Sequence, residues 1–453
     1  MTSRQVGYEQ APLDPQRFDT FVLEPFTEEQ VQEYVGKWFA IDQDLTAEQR
    51  KHKADSFFAE SRIVADLCAN PLMLALMCNI YRGENYIPTN RPDVYEKCAL
   101  MLFDRWDKRR GIRVALPIDA HIRPAMMHLA HWIYADEALQ SGVTERKLVA
   151  KTTQYLCPKR FEDEDEAAAA AREFIAFCRG RAWVFTDTGT TREGEPLYQF
   201  THRTFLEYFT ASQLVRVNPT PDRLLPVLLP RIANREWDVV AQLAFQIQNK
   251  NVEGAGDELL NRLKEEAVSN RAEPWSYLSF AARCLEFIIP TPRTCREITL
   301  LSLDLYLAQR TGAGKFARAV EEEARETMAA LMSAASENQK VITAALEANL
   351  IERINSRDDL KAAKASELAL HIGICLYARR RRAQRSRDAY WREFSKKIAL
   401  TCAQRLQELS RRDPRAAIDG FWYGLWPISR DTARALCSVA SSPGFSLAFR
   451  LDR

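Results

Sequence analysis

The chain has 453 residues and carries 63 basic against 61 acidic side chains, a net charge of +2, so no bulk charge draws it to nucleic acid or to a membrane surface. Hydrophobic residues make up 46% and charged residues 27%, the balance of a folded globular protein, and the length allows about two to four domains. Only 16 residues are glycine, while Ala, Leu, Glu and Arg abound, which favours a mainly α fold.

Residues 1–26 read as the end of an α/β domain, with Thr20–Leu23 a short β-prone run. Thr27 and Gln30 have capping-box spacing, so a helix should run to about Ala40. Another is expected over about Asp55–Ala69. Asn70-Pro71 breaks it, and Pro71 fits the first turn of the next helix, which carries Leu72, Leu74, Leu76 and Met77 to about Tyr81. Pro92 begins a long helix reaching about Gly111, with Tyr95, Leu102 and Trp106 on its inner face. Further helices are expected over about 118–136, 144–156 and 165–180. The five carboxylates Glu162 to Glu166 stand just ahead of the last of these, where they suit the helix dipole as a solvated cap rather than a metal site.

Ala182–Thr186 and Leu197–Phe200 are β-prone and flank Gly189 and Gly194, the pattern of a hairpin. Helices, a hairpin and then an aromatic-faced helix with Phe205, Tyr208 and Phe209 predict a winged-helix arrangement. Thr201 is the expected cap of that helix, and His202 falls in its first turn. Unpaired N–H groups and an imidazole there suit a phosphate; a ring simply packed at a helix start is the other reading.

Beyond Pro219 the pattern is almost wholly helical, with amphipathic segments near 236–248, 256–267, 275–288, 295–309, 316–333, 338–354, 363–380, 388–410 and 430–440. No exact repeat is present, but two-helix units of irregular length fit a HEAT-like or armadillo-like superhelix. The aromatic run Phe421-Trp422-Tyr423-Gly424-Leu425-Trp426-Pro427 reads as the packed cap of the last helices.

The ten cysteines include no CxxC pair, and Cys68, Cys78 and Cys375 sit in apolar helical runs, the pattern of small buried hydrophobes in a reducing compartment. The longest uncharged run, Leu67 to Tyr81, has 15 residues, short of the ~20 that a membrane span needs. No apolar signal region opens the chain, and the expectation is a cytoplasmic protein.

Several segments follow one another in a telling order: Thr2-Ser3-Arg4, Gly7-Tyr8, Pro12-Leu13, Leu23 to Val31, Tyr34, Trp38-Phe39, Asn70-Pro71-Leu72-Met73-Leu74, Pro88, Arg91, Tyr95, Arg105-Trp106-Asp107 and Phe200 to Ala211. The series resembles the C-terminal half of a NACHT module, from the STAND class of signalling ATPases that includes NOD-like receptors and bacterial antiphage sensors. The resemblance covers about residues 1–215 and says little of 220–453. It implies a nucleotide-domain remnant over 1–26, a helical domain over 27–90, a winged helix over 91–216 and a sensor region over 217–453. It also implies three nucleotide-binding roles: Arg4 as the sensor arginine near the γ-phosphate, Pro71 beside the adenine, and His202 bonded to the β-phosphate of ADP, locking a closed state. Implied with these are Mg²⁺-bound ATP and ADP as cofactors and a protein trigger met by the C-terminal helices. An effector domain upstream and a homo-oligomer on activation complete the picture, in innate immunity or antiphage defence.

A phosphate-cradling P-loop needs G-x-x-x-x-G-K-[ST]. The nearest approach, Gly312-Ala313-Gly314-Lys315, has Gln309 in place of the first glycine and Phe316 in place of the hydroxyl residue. Leu300-Leu301-Ser302-Leu303-Asp304 suggests a Walker B strand but has helical periodicity and precedes the glycines. The chain as given is therefore expected not to hydrolyse ATP, with both Walker motifs expected upstream of Met1.

Weaker patterns remain. His121, His128 and His131 lie close together, but a zinc site takes three or four ligands and no carboxylate or cysteine completes this set. Residues 379–412 hold twelve basic against three acidic residues, including the run Arg379, Arg380, Arg381 and Arg382. That stretch could contact phosphates, but a solvated helix face is the commoner origin. Nucleic acid is thus not the expected partner. The competing readings are a helical protein-binding scaffold without nucleotide and a winged-helix nucleic-acid binder.

Overall fold

The computed structural model describes residues 24–101, 121–180, 184–191, 193–270, 274–308 and 315–358, with positions 14, 17 and 21 and isolated positions between 362 and 401. Arg4, Leu102, Trp106, Gly312 to Gly314, Cys375, Arg379 to Arg382 and the 421–427 aromatic run lie outside the described residues. The fold is mainly α, in two compact units: Met1–Arg231 with Trp237–Glu253, and Ile232–Glu236 with Gly254–Arg453.

In the first unit, α1 (Glu28–Ala40) opens with the expected capping box: the Thr27 hydroxyl accepts the Gln30 N–H at 3.3 Å, and the Thr27 N–H donates to Gln30 Oε1 at 2.9 Å. The same device recurs at Thr46 and Gln49 and starts α2 (Ala47–Ser61). This helix begins well before Asp55, the position that its apolar residues suggested; the cap, not the apolar period, sets its start. Residues 62–68 form a 3₁₀ turn and the single turn α3 (Ala65–Cys68). Asn70 then caps α4 (Pro71–Glu84), its side chain accepting the N–H groups of Leu72 and Met73 at 3.0 and 3.2 Å. Asn85 ends α4 in the left-handed region (φ 53°), and α5 (Arg91–Leu100) follows under an Asn90 cap.

The remainder of this unit comprises α6 (Ile122–Tyr134), α7 (Glu137–Gln140), β1 (Val143–Thr144), α8 (Glu145–Arg160), α9 (Glu164–Gly180), β2 (Phe185–Thr190), β3 (Pro196–Phe200), α10 (Arg203–Val217), α11 (Pro221–Ala233) and α12 (Asp238–Asn251). β3 is central and antiparallel to both neighbours, with Phe185 opposite Phe200 and Val143 opposite Tyr198. Helix, strand, two helices and a hairpin in this order give the expected winged-helix arrangement. Its third strand, β1, is only two residues long and leaves no pattern in the sequence. Gly142 (φ 153°) precedes it where a Cβ would meet Leu197 Cβ at 3.2 Å. α11 falls outside the expected amphipathic segments, since Pro226 and Pro230 inside it each remove a backbone donor.

α10 is the centre of the unit. Every residue from Phe205 to Val215 is buried, and the helix packs against α5, α6, α12 and β3. A helix enclosed on all sides buries its polar positions too, here Glu207, Thr210, Ser212 and Gln213.

The second unit stacks α13 (Ala255–Ser269), α14 (Pro274–Cys284), α15 (Pro292–Ala308), α16 (Lys315–Met332) and α17 (Ser336–Ile354). Each helix touches the next and the next but one. The Leu300–Asp304 segment lies within α15, so it is helix and not a Walker B strand; Asp304 pairs with Arg353 of α17. No helix among the described residues is long and apolar enough to cross a membrane.

Candidate functional site

His202 is the N-cap residue of α10, one position before the expected first turn. Its backbone is extended (φ −135°, ψ 126°), and its carbonyl accepts the N–H groups of Phe205 and Leu206 at 3.2 and 3.4 Å. The ring makes no capping bond. Thr201 is therefore not the cap. Its N–H donates to Val184 O at 2.7 Å, so its backbone is held by the hairpin side and the helix can begin only after it. The opening N–H groups of α10 precede any carbonyl of the helix that could take them.

Beside this opening stands an ion pair that the winged-helix reading did not single out. Arg203 Nε donates to Glu207 Oε1 at 2.9 Å, with the arginine side chain 70% exposed and the glutamate side chain 10%. The signal was in the sequence, since i,i+4 spacing places the two on one face. Burial pushes the Glu207 carboxyl above its ordinary range against the opposing pull of Arg203. The arginine, bonded to Glu207 and near Tyr134, is held more firmly protonated.

α5 links this opening to the Pro71 segment. It packs against both α4, whose first residue is Pro71, and α10, which His202 caps. Tyr95 of α5 stacks on Tyr208 (5.3 Å, 18°) and meets Phe205 edge-on (6.3 Å, 75°). Burial raises its phenol pKa, and Asp66 and Glu207 raise it further. Asp66 also pairs with Arg91 at 3.0 Å. Residues just ahead of Pro71 and just after His202 thus act on one buried tyrosine. Pro71 itself is exposed and His202 half-buried. Clefts of about 400 and 690 Å³ lie between α1 and α2 and between α8 and α9; neither is lined by Pro71 or His202.

A raised carboxyl has a defined sign in stability. Glu207 favours the folded state in its neutral form, so its contribution is complete below the unfolded value of 4.5 and is lost as pH rises through the higher folded value. Glu207→Gln, which is neutral throughout, is expected to gain stability relative to the parent as pH rises above 4.5. Urea midpoints of both proteins between about pH 4 and 8 check this; a difference independent of pH would reject it.

The histidines of α6 have separate partners. His128 stacks on Tyr155 at 4.7 Å, and His131 meets Trp237 edge-on at 6.2 Å. Among the described residues no group of three His, Cys, Asp or Glu could hold a metal. Among the described residues Cys68, Cys78, Cys98, Cys178, Cys284 and Cys295 are buried and form no disulfide, and Cys157 is half-buried. No protein-family model matches the chain, and no curated protein matches its sequence.

Proposed function

We propose that this chain is the regulatory and sensing part of a NACHT-type STAND signalling ATPase, working in the cytoplasm in innate immunity or antiphage defence, with ADP holding its closed state. The observation that carries the reading is His202 at the mouth of a helix that follows the wing. Imidazole, the neighbouring guanidinium of Arg203 and the first N–H groups of α10 form a donor set suited to one phosphate. Bound ADP would supply that phosphate. These residues would orient it, and the enclosed α10 would carry the effect inward to Tyr95 and the α4 segment. Pro71, the first residue of α4, is the proposed neighbour of the adenine, and Arg4 of the γ-phosphate. Catalysis is not assigned to any described residue. In this reading Mg²⁺-bound ATP replaces ADP on activation, the chain then assembles with copies of itself, and the stacked helices of the second unit form a superhelical surface for a protein trigger.

The test is a thermal melt of the full chain against ADP. Saturating nucleotide is expected to raise the midpoint by roughly 2–4 °C per kcal/mol of binding. His202→Ala should abolish that shift while leaving the nucleotide-free melt close to the parent. No shift at millimolar ADP would leave the helical scaffold, a protein-binding stack that takes no nucleotide, as the better reading.

A further inference from the structure

We propose that the face shared by α6 and α8 binds single-stranded nucleic acid. Four cations gather there. Lys147, Lys151 and Lys159 stand on α8, and Arg216 comes from the last turn of α10. Among the described residues none of the four makes an ion pair; the Lys151 ammonium is bonded only to Gln154 Oε1, at 3.1 Å. A helix rises 1.5 Å per residue, so Lys147, Lys151, Tyr155 and Lys159, four apart in sequence, follow one another at about 6 Å along one face.

Aromatic rings are set among these charges. Lys159 Nζ lies 3.8 Å over the Tyr155 ring, and Lys151 Nζ lies 5.9 Å from the Trp132 ring. Arg216 Nη1 donates to the Tyr155 hydroxyl at 3.1 Å. His128, one turn before Trp132 on α6, stacks on the Tyr155 ring at 4.7 Å. Burial first, and then the nearby Lys151 and Lys159, drive the His128 pKa down to about 4. Without ion-pair partners among the described residues, these four cations stand out in a chain of nearly balanced charge.

Tyr155 is buried beneath this track, between His128 and Lys159, and the partly exposed Trp132 ring stands beside it. A cationic track next to such a ring suits single strands, where lysines follow the phosphates and the ring takes a base. Duplex DNA is the poorer fit. The helix immediately before a wing is the one placed to enter a groove, and α9 exposes Glu162, Asp163, Glu166 and Glu173 around its start and outer face, which repel phosphate. The patch is distinct from His202, and the inference does not depend on the nucleotide reading.

The experiment is fluorescence anisotropy of the full chain with a labelled oligothymidylate of about 20 nucleotides across about 50–200 mM salt. Single-strand binding is expected to weaken steeply with salt. Lys151→Ala with Lys159→Ala should make the log–log salt slope shallower by about 1.4, at about 0.7 for each lost phosphate contact. Trp132→Ala should weaken binding roughly fivefold or more, and Trp132→Phe should restore most of it, a rescue that separates stacking from loss of fold. Four outcomes would overturn the proposal: no binding at low salt, duplex binding as tight as single-strand binding, displacement by polyglutamate at equal charge, or binding that is lost on neutralising Arg379 to Arg382 and kept in the Lys151/Lys159 variant.

Discussion

Phe209→Ala is expected to remove about 3–5 kcal/mol from the first unit, the largest loss of any single truncation in α10. Phe209 is 1% exposed, and its ring lies against Phe205 at 6.2 Å and Tyr208 at 5.4 Å. The helix around it is closed on every side by α5, α6, α12 and β3, so the space left by the ring cannot be filled by a local shift of one neighbour. Phe209→Leu keeps most of the apolar area and should cost only about 1 kcal/mol. Hydrogen exchange in residues 203–217, with the second unit as internal reference, reads the effect at the helix itself. Exchange in Phe209→Ala no faster than in the parent would mean that α10 is not the packing centre. The result also bears on the nucleotide site. Because His202 starts this helix, Phe209→Ala should lose any ADP response together with its structure, whereas His202→Ala should lose the response alone.

The sequence was most legible where a local signal and tertiary packing agree. Thr27 and Gln30 announced α1, and the structure contains both bonds of that capping box. The identical signal at Thr46 and Gln49 heads a helix, AEQRKHKADSFFAES, that is polar until Phe57, so apolar periodicity alone does not reveal its start. Apolar periodicity there favoured Asp55–Ala69, a span that the chain divides between a helix, a 3₁₀ turn and one further turn. Local rules failed outright in two places. Pro226 and Pro230 argue against a helix, yet Leu224, Leu225, Leu228 and Ile232 are buried along α11. β1 exists only because Leu197 and Tyr198 offer it partners more than fifty residues away in the chain. At the candidate site the sequence found His202 but misplaced it by one position, since nothing in Phe200-Thr201-His202 says that the Thr201 N–H is already committed to Val184. The burial of Glu207 was equally hidden. An amphipathic reading of α10 leaves a polar side, but the packing of its neighbours around the helix leaves Glu207 7% exposed.

In the second unit a large single-residue effect is expected at a buried hydrogen-bond donor. Asn338 is 2% exposed, and its amide donates to Leu285 O and Ile288 O, both at 2.8 Å. These carbonyls lie in the turns after α14, where a helix end leaves acceptors without intrahelical donors. Leu285 O also receives the Ala335 N–H at 2.9 Å, so Asn338 matters most to Ile288 O. The side chain thereby fastens the end of α14 to the start of α17. Asn338→Ala is expected to cost about 2–4 kcal/mol, two buried bonds with one acceptor stranded. Asn338→Asp decides whether donors or mere volume matter, since it keeps the shape and replaces the donating group with oxygen. At neutral pH it should be at least as damaging as alanine, because a carboxylate would face two carbonyl oxygens. On acidification its deficit should shrink as the carboxyl regains one proton to donate. Urea unfolding of the three proteins at about pH 4 and pH 7 carries the comparison. An aspartate variant as stable as the parent at neutral pH would show that this junction is held by shape rather than by the two bonds.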